Sequence, residues 1–118
     1  MKGFSIIHYQ GIEIVYLNYQ HLSSTELFQT MEQARSLILK ENKIRPVLIN
    51  LIGVYGTPDF MNKAKELGKE TAHLTSKSAV VGLNDLKKIL LNAYNRFTSE
   101  NMKAFDTEEL AKEWLIKV

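Results

Sequence analysis

Three histidines, seven serines and thirteen acidic side chains are the groups of this chain that could carry chemistry. His8, His21 and His73 stand far apart, none within three to five residues of another, so the ligand spacing of a zinc site is missing. There is no cysteine, which removes disulfides, thiolate metal sites and thiol nucleophiles. No Gly-x-Ser-x-Gly elbow occurs, and a Ser–His pair could meet only through folding. Glu108 and Glu109 fall in the first turn of an expected helix, where carboxylates complement the helix dipole. Glu66 and Glu70, four residues apart with Lys63 and Lys65 nearby, fit a solvated helix face. Nucleophile, base and electrophile are not assembled by spacing. The expectation is a non-enzymatic protein with no metal and no cofactor.

One loop has more to offer. Gly53-Val54-Tyr55-Gly56-Thr57 lies between an expected strand and an expected helix. Backbone N–H groups at a helix start can hold an anion. The segment lacks the Gly-Lys-Ser/Thr ending of a Walker loop, and Asp59 would repel a phosphate. The plainer reading is two glycines easing a turn. Tyr55 is either a contact for a partner, at the strand-end edge where α/β sheets meet ligands, or a ring packed over the helix start. Phe60, Met61 and Trp114 have the helical spacing of core residues.

These groups need a scaffold, and the bulk properties allow one. The chain has 118 residues, the length of one ordinary domain. It is 45% hydrophobic and 24% charged, the balance of a soluble globular protein. The net charge is only +2 and the basic residues are dispersed, so no nucleic-acid-binding face is expected. No apolar run reaches the roughly 18 residues of a membrane span, and the N-terminus lacks a signal-peptide core. A cytoplasmic setting is expected.

The elements follow from periodicity. Phe4 to Tyr9 and Ile12 to Leu17 read as a hairpin turning at Gln10-Gly11. Ser23 and Glu26 have capping-box spacing, Leu27, Met31, Ala34 and Ile38 form an apolar stripe, and Asn42 can end that helix. Val47 to Ile52, after Pro46, reads as a buried parallel strand. Thr57, Pro58 and Asp59 are a good cap, first residue and first-turn anion for the next helix. Ala79 to Leu83 reads as another buried strand. Asn84 caps a helix with Leu86, Ile89, Leu90, Ala93 and Phe97 on one side. Met102 to Phe105 is a short last strand, and Asp106 with Glu109 suggests a capping box for a final helix. The order β-β-α-β-α-β-α-β-α calls for parallel strands with right-handed crossovers after the hairpin.

Several stretches resemble STAS domains, the domains of anti-sigma-factor antagonists. Val47-Leu48-Ile49-Asn50-Leu51-Ile52-Gly53-Val54 is similar to their central strand and loop. Ser78-Ala79-Val80-Val81-Gly82 and the ending from Phe105 to Leu115 resemble a SpoIIAA-like branch, also called STAS/SEC14. The resemblance implies a SpoIIAA-like right-handed β-α superhelix with a mixed, mostly parallel five-stranded sheet. It implies a protein partner, and phosphorylation of a residue at the start of the second helix, here at or near Thr57. The usual Asp-Ser-x-Gly is absent, and Asn50 stands where many members carry aspartate.

The expected function is thus a regulatory or protein-interaction module. Its candidate contact residues are Gly53, Tyr55, Gly56, Thr57, Asp59 and Phe60. The alternative is a carrier or sensor of a lipid or other small apolar ligand, with Met31, Phe60, Met61 and Phe97 lining a cavity. A homodimer through an edge strand or open sheet face is a further expectation.

Overall fold

The computed structural model describes residues 3–54, 57–82 and 102–117. β1 (Gly3–Tyr9) and β2 (Ile12–Asn18) form the expected hairpin. Gln10 and Gly11 both have positive φ, +49° and +81°, as a two-residue type I′ turn requires. α1 (Ser24–Glu41) follows, then β3 (Arg45–Asn50), α2 (Pro58–Thr71), a single 3₁₀ turn (Ala72–Leu74), β4 (Thr75–Val81), β5 (Met102–Phe105) and α3 (Glu108–Leu115). The five strands lie in chain order, β1-β2-β3-β4-β5. Among the described residues the β1–β2 pair alone is antiparallel; the other pairs are parallel. This is the mixed, mostly parallel α/β sheet that the pattern called for. The helix expected between Asn84 and Phe97 falls outside the described residues.

Two helical layers enclose the sheet, and side-chain alternation decides what each covers. On one face Val15, Leu17 and Val47 pack with Met31, Ala34 and Ile38 of α1 and Phe60 of α2. On the other, Ile14, Tyr16, Leu48, Ala79 and Val81 pack with Ala111 and Leu115 of α3. Ile14 and Leu48 are both 0% exposed. Each contributes about 1.5–3 kcal/mol through burial of its side chain. Among the described residues, no helix is long and apolar enough to cross a membrane.

Helix ends follow the local chemistry. Ser23 and Glu26 close a reciprocal capping box, and Asn42 adopts the left-handed conformation after α1. The cap of α3 is Thr107 rather than Asp106: the Thr107 hydroxyl accepts from Leu110 N at 3.2 Å. Two strands end earlier than their apolar runs predict. β3 begins at Arg45 and stops at Asn50, because the Asn50 side chain captures the Ile52 N–H and turns the chain. Pro46 lies inside the strand, at a register irregularity between Arg45 and Val47. Proline lacks an N–H for the ladder, so a break there is natural. β4 ends at Val81, where Gly82 takes φ +90°.

α3 is also held at its far end. Lys77 Nζ donates to the carbonyls of Trp114 at 3.0 Å and Lys117 at 2.7 Å. It also lies 4.8 Å from the centre of the Trp114 ring. A cation at a helix C-terminus satisfies orphan carbonyls and complements the dipole.

At the amino end of β3, Arg45 is 5% exposed. Its Nε donates to Glu13 Oε1 at 2.9 Å and its Nη2 to Glu41. The pairing with Arg45 holds the Glu13 carboxyl below its ordinary value of 4.5. A depressed carboxylate stabilises the fold above its unfolded value, and that stabilisation is lost as pH falls through the lowered one. Urea midpoints should therefore drop as pH is lowered from about 4.5, and Glu13→Gln should flatten this acid limb.

Gly82 gives a sharper expectation. A Cβ there would lie 2.4 Å from the Ile52 backbone nitrogen. Gly82→Ala should cost about 2–5 kcal/mol, combining left-handed strain with overpacking against fixed backbone, as read from urea unfolding.

Candidate functional site

Strands β2, β3 and β4 run in parallel, so their carboxyl ends share one edge of the sheet with the starts of α1, α2 and α3. The β3–α2 loop leaves from the middle of that edge. Its base is fixed by backbone bonds: Tyr19 N donates to Asn50 O at 3.0 Å, and Leu51 N to Val81 O at 2.8 Å. Leu51 to Val54 closes a turn through Val54 N to Leu51 O at 3.0 Å. Gly53 takes φ +72° within it, with open space where a Cβ would be.

Beneath the loop lies a polar cluster. Asn50 is 4% exposed and follows the apolar run from Pro46 to Ile49 in β3. Its Oδ1 accepts from Ile52 N at 2.9 Å, and its Nδ2 donates to Glu108 Oε2 at 2.9 Å. The same Glu108 oxygen accepts from the Tyr16 hydroxyl at 2.5 Å. One carboxylate from α3 thus joins β2, β3 and the loop. Burial, then the hydrogen bond and charge of Glu108, pushes the Tyr16 phenol up to about 12. Tyr19 is raised further by burial alone. A phenol held neutral donates to the Glu108 carboxylate, and this bond ties β2 to α3.

The expected contact residues divide. Gly53, Thr57 and Asp59 are exposed, as is the neighbouring Ile52, which was not among them. Thr57 caps α2, its hydroxyl accepting from Phe60 N at 3.2 Å, and Pro58 occupies the first turn. Phe60 is 3% exposed and meets the Tyr19 ring edge-on at 5.3 Å. Its side chain belongs to the core and has no free surface to offer. Tyr55 and Gly56 lie outside the described residues.

The residues expected around an apolar cavity also have other duties. Met31 and Phe60 are buried in the core, Met61 packs against it, and Phe97 is outside the described residues. A groove of about 310 Å³ does run between α1 and α2. Its floor includes Met31 and Leu67, but Glu32, Arg35, Lys63 and Glu70 line it. Arg35 bridges the helices by pairing with Glu70, and with Glu32 at 3.5 Å. Such a lining suits water and ions better than an acyl chain. Among the described residues no group of three or more His, Asp or Glu could hold a metal ion. His8 is 3.7 Å from Glu13 on the exposed hairpin.

Sequence reasoning did not find the Tyr16–Asn50–Glu108 cluster. Glu108 reads as a dipole-complementing residue, and its partners lie 92 and 58 positions away. The available signal was Asn50 itself, since a polar side chain in a strand buried on both faces must find a partner.

The cluster makes two measurable claims. Glu108→Ala should cost about 2–4 kcal/mol, because two buried donors lose their acceptor, whereas Tyr16→Phe should cost only about 1–2 kcal/mol. At high pH the sign is fixed by the raised phenol. Its stabilisation is complete below the ordinary value of 10.0 and is lost as pH rises toward about 12. Tyrosinate absorbance during titration should show late-ionising phenols, of which Tyr16→Phe removes one and leaves that of Tyr19.

No family profile and no curated protein sequence matches the chain. Solved structures do. An uncharacterised protein of the DUF3478 family with a SpoIIAA-like fold, from Shewanella loihica PV-4, superposes with a TM-score of 0.70 at 18% identity, over 98% of this chain and 95% of that one. An anti-sigma-factor antagonist (STAS) domain protein from Planctomyces limnophilus superposes with a TM-score of 0.52 at 18% identity, over 93% of this chain and 97% of that one. The superposition over nearly the whole length shows that this chain has a SpoIIAA-like fold.

Proposed function

We propose that this chain is a non-enzymatic regulatory module that binds a protein partner through the loop between β3 and α2. The observation that carries the reading is the exposed Ile52-Gly53 turn, mounted on a rigid base in a fold similar to that of an anti-sigma-factor antagonist domain protein. Loops held on a rigid scaffold are where binding residues concentrate. In this reading Gly53, Tyr55, Gly56, Thr57 and Asp59 form the contact segment. Ile52, 42% exposed, adds an apolar anchor. Phe60 supports the segment from the core. Thr57 acts as the cap of α2, and Asp59 beside it disfavours a phosphate at that position.

The test is capture from the native cell with tagged protein. Tyr55→Ala and Ile52→Ser should each reduce recovery of the specific partner about tenfold, roughly 1.4 kcal/mol, with thermal stability kept. Capture that is indifferent to both substitutions would place the contact surface elsewhere. Thr57→Ala should lower stability by about 1 kcal/mol through loss of the cap.

A further inference from the structure

Among the described residues β1 is an edge of the sheet, with β2 as its one strand neighbour. Edge strands are usually protected by lysine, proline, bulges or short length. The other edge, β5, has such protection: it is four residues long and carries the exposed Lys103. β1 has none of it. It runs for seven residues, GFSIIHY, paired without irregularity to β2, and contains no lysine and no proline. None of its residues is fully buried, although Phe4, Ile6, Ile7 and Tyr9 are large and apolar. The neighbouring β2 buries five of its seven. Among the described residues, no backbone group of β1 bonds to anything but β2.

We propose that β1 pairs antiparallel with β1 of a second copy of this chain, forming a two-fold dimer with a continuous ten-stranded sheet. Ile6 is the middle of the strand, so a dyad there pairs all seven residues. Ile6 then faces Ile6, Ser5 faces Ile7, Phe4 faces His8 and Gly3 faces Tyr9. Charge permits this register. His8 is the one basic side chain of the strand, which has no acidic one, and the dyad sets the two copies of it four positions apart, each opposite a Phe4. Self-pairing also closes the assembly, since both copies use the same edge. A β1-to-β5 contact would leave an edge open at each end and would set the exposed Lys103 against an apolar strand. The dimer edge is two strands away from β3, so it is independent of the partner loop.

Light scattering on the wild-type chain at rising concentration should approach twice the monomer mass. The absence of native cysteine makes the register directly readable. Ile6→Cys should form a disulfide-linked dimer under mild oxidation, and His8→Cys alone should not. Should Ile6→Cys fold poorly, a mixture of Ser5→Cys and Ile7→Cys chains should cross-link with each other several-fold faster than either with itself. A monomer at all concentrations overturns the proposal. So does a dimer in which His8→Cys links and the central positions do not.

Discussion

Burial of β3 on both faces is the constraint on which this structure turns. With α1 and α2 on one side and α3 on the other, water has no access to its middle, so every polar group there must be answered by protein. Leu48 meets the condition by having no polar side-chain atoms. Asn50 meets it through Glu108 and the Ile52 N–H. The single polar residue at the strand's end thereby becomes a junction. It ends the strand, aims the loop and ties down α3.

α3 covers its face with only eight residues, a length that is marginal for an isolated helix. Packing of Ala111 and Leu115 is one source of its stability. Contacts at its two ends are another. Glu108 accepts hydrogen bonds from β2 and β3 at the first turn, and Lys77 donates to the last carbonyls from β4. The helix is thus fixed both along the sheet and across it.

The fold was largely legible because hydrophobic period and capping chemistry are local. Ser23 with Glu26, Asn42, Thr57 and the Gln10-Gly11 turn each act over a few residues, and the structure has each in its expected role. Strand ends were less legible. The apolar run Val47 to Ile52 hides the point where Asn50 diverts the chain, and β4 ends at Gly82, whose positive φ and lack of room for a Cβ beside Ile52, thirty positions away, are products of the fold. The same gap hid the site. The surface loop could be placed from glycines and a cap, but its foundation depends on Tyr16 and Glu108, whose nearness is a product of the fold. Phe60 is the reverse case: its place beside the loop suggested contact, whereas its apolar spacing belonged to the core.

Asn50 also sets a constraint on change. Hydrolysis of its amide would replace a donor by a second carboxylate, in van der Waals contact with Glu108. Two such groups at a separation of 2.9 Å could not both stay ionised. They would share one proton, and the former structural clasp would become an acid pair. A difference of one atom, nitrogen for oxygen, separates a silent joint in this domain from one that answers to acidity.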